Sequence, residues 1–182
     1  MKKLYMIGVT TFACLLAGIA GVTPSLKATG QEPSVSKLLA EAKTQAYAIS
    51  VDASQLESFT RSPDLSWESH AVEISQMKDD INQTAKTVEK LNASRSEAEP
   101  WQAAAIDRII PFMQEIAGNT TSAIEYLNKH QSRLNTKEYT DYLESNSDLS
   151  NQLAGLIAHY VDYGNVKSRY ANLKHTIDLT AK

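Results

Sequence analysis

Beyond residue 34, apolar residues recur at alternating spacings of three and four almost without interruption. That period admits little besides amphipathic helices packed side by side along their length. Four segments carry it. The first has Leu39, Ala42, Ala46, Ile49, Ala53 and Leu56, and the second has Trp67, His70, Ile74, Met77, Ile81, Thr84, Val88 and Leu91. The third is the most regular, with Ile106, Ile109, Met113, Ile116, Thr120, Ala123, Leu127, His130 and Leu134. In the fourth the seam runs Tyr139, Tyr142, Asn146, Leu149, Leu153, Leu156, Tyr160 and Tyr163, then shifts phase near Gly164 to Val166, Tyr170, Leu173 and Ile177. No β-branched alternating run competes, and only Gly118, Gly155 and Gly164 interrupt as glycines after residue 30.

Turn and cap signals fall between these segments. "RSPDLS" offers Asp64 or Ser66 as an N-cap, "NASRSEAEP" offers Ser96 with Glu99 as a capping box, and "LNTKE" offers Asn135 with Glu138. Connections this short make neighbouring helices run in opposite directions. The expected fold is therefore all-α, an antiparallel up-down-up-down four-helix bundle with helices over about 34–61, 66–95, 97–134 and 136–179. The long fourth helix has two weak points, "SNS" at residues 145–147 and Gly164.

Pro111 interrupts the third segment. Inside a helix a proline removes one backbone hydrogen bond and costs about 3 kcal/mol. Its place beside Ile110, off the seam, predicts an outward-facing ring and a modest kink, leaning toward the small residues Ala42, Ala46 and Ala85.

Residues 1–28 read as a cleaved secretory signal peptide: Lys2 and Lys3, the apolar run Leu4–Val22, then "TPSLKA". Cleavage is expected after Ala28, with Ala20 as the alternative; an uncleaved anchor is the competing reading. The single cysteine, Cys14, lies inside this segment, with residues beyond it still apolar, which is not the lipoprotein pattern. The mature chain then has no thiol for disulfides, metal ligation, nucleophilic catalysis or covalent haem attachment. It would be exported to the periplasm or the extracellular space, with no stable membrane span. Residues 29–182 are a single helical domain holding 15 basic and 21 acidic residues, with no basic run, so nucleic acid is not an expected partner.

The seam histidines His70 and His130 fall near one end of such a bundle, with Phe59, Trp67, Tyr126, Tyr139 and Tyr142. Paired imidazoles could hold haem or a metal there. Yet no glutamate precedes any histidine by three residues, so the Glu-x-x-His unit of di-iron bundles is missing, and no His or Met stands in the first helix for a second haem ligand. The simpler expectation is that both histidines close the bundle end through bonds to tyrosine or backbone. No cofactor and no metal is therefore expected. His159 and Asp162, three apart in "HYVDYGN", could orient one another, as could His70 and Glu73, but neither pair has a nucleophile beside it. Catalysis is not expected. Trp67 and Trp101 each start a helix and either cover a bundle end or anchor a partner. Together with Tyr160 and Tyr163 of the fourth helix they form the expected interaction surface.

The run "PWQAAAIDRIIP…EIAGNT…YLN…RL", with "YTDYLESNSDL" and "HYVDYGNVK" after it, resembles a group of uncharacterised exported bacterial helical proteins. The resemblance covers most of the chain after Ser66 and implies an exported helical domain, without an activity or a site. The sequence thus points to an exported, non-enzymatic bundle that binds a protein or cell-envelope component, with oligomerisation open. A bundle holding haem, a metal or a small apolar molecule at its core histidines is the alternative.

Overall fold

The computed structural model describes residues 34–62 and 64–180, so the expected signal peptide lies outside the described residues. The regular structure among them is all helical, with no strand: α1 is Val35–Phe59, α2 Trp67–Ala93, α3 Pro100–Lys129 and α4 Lys137–Thr180. One 3-10 turn, Arg95–Glu97, precedes α3.

The starts of the helices show why the chain turns where it does. Ser34 caps α1, its Oγ accepting from Lys37 N–H at 3.4 Å, and Ser66 stands at the cap of α2. The expected cap of α3 at Ser96 is corrected. Pro100 is best placed as the first helical residue, where its missing N–H is harmless, and that fixes the cap at Glu99. Gln102 completes the box by accepting from Glu99 N–H at 2.9 Å, and its Nε2 donates to Ser36 Oγ at 2.9 Å, joining the starts of α3 and α1. At α4 the capping group is Thr136 and not Asn135. Its hydroxyl accepts weakly from Tyr139 N–H at 3.4 Å and donates to the Tyr126 hydroxyl at 2.7 Å. Helix α3 also ends at Lys129, short of the expected Leu134, because the His130 backbone leaves the helical conformation.

On α1, α2 and α3 the apolar seam is the core. Leu39, Ala42, Ala46, Ile49, Ile74, Met77, Leu91, Ile106, Ile109 and Ile116 have no exposed surface. Pro111 sits on the exposed face of α3, which passes through it as one helix.

Helix α4 departs from expectation twice. Its buried line is Tyr139, Leu143, Asn146, Ser150, Leu153 and Ile157, while Tyr142, Leu149, Leu156 and Tyr160 are only partly buried. At 3.6 residues per turn the two lines differ by about 60–80° of rotation. Helix α4 packs against both α1 and α3, with Ser147 and Ser150 among its buried residues. The second departure is larger. Helix α4 has 44 residues against 25, 27 and 30 for the others, and it continues unbroken through Gly164. From Asn165 to Leu179 every side chain is exposed. Val166, Tyr170, Leu173 and Ile177, on the seam after the phase shift, are 58–69% exposed. Helix α4 is 14 residues longer than α3, the next longest, and its exposed stretch is its last part.

Candidate interaction surface

Polar, charged and aromatic side chains gather in three places, two of which hold residues that sequence singles out. The first is the end of the bundle beside the α3–α4 loop. His70 is buried among Phe59, whose ring meets it edge-on at 5.2 Å, and Tyr139, whose hydroxyl is 3.1 Å from His70 Nδ1. Burial holds the His70 pKa below its ordinary 6.5, because the imidazolium would lose its hydration there. His130 is exposed, with Nδ1 3.2 Å from the Tyr126 carbonyl and its ring 4.2 Å from that of Tyr126. Tyr126 and Tyr139 stack at 5.5 Å between the two histidines. The structure thus brings His70 and His130 to one end, each bonded to a tyrosine hydroxyl or a backbone carbonyl, with two phenol rings separating them. Trp67 packs half-buried against the core. Among the described residues no cluster of three or more His, Cys, Asp or Glu could hold a metal.

The second place is the α1–α2 face, which sequence did not mark. Oδ2 of Asp52 is buried and makes no hydrogen bond, so Asp80 acts on it as a nearby charge, its own Oδ1 accepting from Gln76. Burial first, then the Asp80 and Glu73 carboxylates, push the Asp52 pKa up to about 6. The folded state therefore holds this proton more tightly than the unfolded chain, whose value is near 3.8. Stability is lost as pH rises from about 4 to about 6 and stays lost above that. With Asp52 only partly buried, solvent screening reduces the effect, and Asp52→Asn is expected to stabilise the fold at pH 7 by about 1 kcal/mol. Urea unfolding at pH 7 and pH 3.5 checks this: the gain should be present at the first and absent at the second.

The third place is where α4 leaves the bundle. Trp101, in the first turn of α3, lays its indole against Gly164: a Cβ there would sit 2.6 Å from Trp101 Cη2, so only glycine admits the ring in this position. The indole meets Tyr163 edge-on at 5.4 Å, and its Nε1 donates to Glu99 Oε2 at 2.9 Å. The same carboxylate oxygen pairs with Lys167. These contacts, with the Lys43–Asp162 pair at 3.3 Å, hold the base of the projecting segment from two helices. Lys167 and Trp101 both bond the Glu99 carboxylate and lower its pKa.

Of the residues expected to form an interaction surface, Trp101, Tyr160 and Tyr163 lie at this collar, while Trp67 lies at the far end of the bundle with His70. Tyr163 is 54% exposed and Tyr170 69%, whereas Tyr139 has no exposed surface. His159 and Asp162 do not form a pair; the Asp162 carboxylate accepts from Lys43. Sequence alone does not tell that Val166 to Ile177 is exposed, because an unburied seam has the same period as a buried one. The signal available was length: the fourth segment outruns the other three. No family model, curated protein or solved structure matches this chain.

Proposed function

We propose that this chain is an exported, non-enzymatic four-helix bundle that presents the projecting part of α4 to a protein of the cell envelope. The observation that carries the reading is the exposed stripe Val166, Tyr170, Leu173 and Ile177, continuous in spacing with Tyr163 and rooted in the collar. Contiguous apolar surface on an otherwise well-buried domain marks an interaction site. Export is supported by the order of the first 28 residues: two lysines, an apolar run, then a polar stretch ending in Ala28. Among the described residues no helix is long and apolar enough to cross a membrane. The up-down-up-down course is supported by its cross-helix pairs. Lys43 meets Asp162 while Ser54 meets Ser147, and Thr120 meets Asn146 while Tyr126 meets Tyr139. In both sets, position falls along α4 as it rises along the facing helix.

A non-enzymatic role is supported by how the titratable groups are used. His70 supports Tyr139, Asp162 pairs with Lys43, and Glu99 and Lys167 fasten the collar. The alternative, a ligand held by His70 and His130, would require Tyr126 and Tyr139 to move apart. The test is retention from envelope extracts by the wild-type chain and by the double variant Tyr170→Ser, Leu173→Ser. Both changes are on exposed positions, so circular dichroism should be unchanged while a retained band is lost. The same bands at the same yield on both chains would sink the reading.

A further inference from the structure

The chemistry of the stripe narrows what can cover it. On a helical wheel, Tyr163, Val166, Tyr170, Leu173 and Ile177 fall within about 80° of arc, narrower than the apolar face of a helix seated on a globular core. Their spacing of three, four, three and four matches the seam of a two-stranded coiled coil. A helix lying in a lipid surface immerses a wider face, so the narrow seam favours a single partner helix over a membrane. The residues flanking the seam then set which helix. Lys167 and Lys174 lie along one edge and Arg169 along the other. Lys167 is tied to Glu99, whereas Arg169 and Lys174 make no ion pair among the described residues. The only acidic residue from 164 to 180 is Asp178, on a chain whose residues 29–163 hold 20 acidic against 11 basic side chains.

A second copy is a poor fit to that edge. Parallel pairing would set Arg169 of one copy against Lys174 of the other, and antiparallel pairing would set like residues against like. Either arrangement juxtaposes Arg169 and Lys174 with cations, and the one flanking acid, Asp162, is already paired with Lys43. We propose that the projecting half of α4 docks an amphipathic helix of another protein whose seam is flanked by acidic residues, through Val166, Tyr170 and Leu173 in the seam and Arg169 and Lys174 at its edges. This rests on the reading of the stripe as the interaction surface and adds the class of partner.

The test uses two labelled three-heptad peptides with Ile at a and Leu at d, one with Glu at every e and g position and the other with Lys. Fluorescence anisotropy is read against the full chain at about 50 mM and about 300 mM salt. The Glu peptide should bind at least about tenfold more tightly than the Lys peptide, and the difference should shrink at the higher salt. Arg169→Glu with Lys174→Glu should reverse the order, and Tyr170→Ser should weaken the Glu peptide about tenfold or more. Since all three positions are exposed, an unchanged circular dichroism spectrum shows that each variant folds. Equal binding of the two peptides, or binding of neither, overturns the proposal. So does sedimentation showing self-association that Tyr170→Ser abolishes, or stripe-dependent binding to vesicles containing anionic lipid. If the envelope retention described above depends on the stripe while the Glu peptide fails to bind, the partner class is wrong and the surface stands. If retention does not depend on the stripe, the surface itself is wrong.

Discussion

Leu153→Ala is expected to lower the unfolding free energy by about 2–5 kcal/mol, and Leu173→Ala by less than about 0.5 kcal/mol. The two leucines stand on one helix twenty residues apart, and the sequence places both on an apolar seam. Leu153 has no exposed surface, so truncating it removes contacts and leaves a cavity that the surrounding helices fill only in part. Leu173 is 58% exposed, and alanine favours the helix slightly more than leucine does, so little is lost. Denaturant unfolding followed by circular dichroism gives both values. A cost for Leu173→Ala approaching that of Leu153→Ala would mean that the projecting segment is packed against something, and the account of α4 would have to change.

His70→Ala should be nearly as severe, about 2–4 kcal/mol, for a different reason. Truncation removes the ring that Phe59 meets edge-on and strips the buried Tyr139 hydroxyl of its partner at 3.1 Å. Burial raises the pKa of that hydroxyl, which therefore keeps its proton and loses its bond to His70 Nδ1 when the ring is removed. His70→Phe retains the volume and loses only the bond, so it should cost less, about 1–2 kcal/mol. The pH dependence separates the two causes. The folded-state pKa of His70 lies below 6.5, so near neutral pH the unfolded chain binds a proton more readily than the folded one. The contribution of His70 to stability is complete above about pH 6.5 and declines as pH falls below that value. In His70→Phe this decline should disappear. Asp52 acts with the opposite sign between about pH 4 and pH 6, so the wild-type curve in that window is the difference of two slopes. The single variants Asp52→Asn and His70→Phe should tilt it in opposite directions.

What sequence made legible, and what it did not, follows from the physics of each signal. The helical class and the seams of α1, α2 and α3 were plain, because burial on one side of a helix imprints a period that few other structures share. The bundle end was legible too: short loops bring Phe59 to His70 and Tyr126 to Tyr139, and the aromatic residues were read there together. The caps were harder. Ser96 carries the better capping side chain, yet Pro100 overrides it by fixing which residue can come first in the helix. On α4 the serines carry no such signal, because small polar residues look like surface, although Ser147 and Ser150 are buried. Ser150 Oγ and Asn146 Oδ1 are buried there without partners, a cost that no local pattern announces. The Asp52 site depends on two helices meeting and has no signature in either. The projecting stripe was hidden for the opposite reason. Its period reads like that of a buried seam, since periodicity reports that a face is apolar and not what covers it.

The most direct test of the central claim replaces Leu173 with a photo-crosslinking phenylalanine analogue in the native envelope. Val72 on α2, 71% exposed against 58% for Leu173, carries the same probe as the control. A discrete adduct from position 173 and none from position 72 is the expected result. No adduct from position 173, or the same pattern from both positions, would contradict the assignment of this stripe as the surface through which the protein acts.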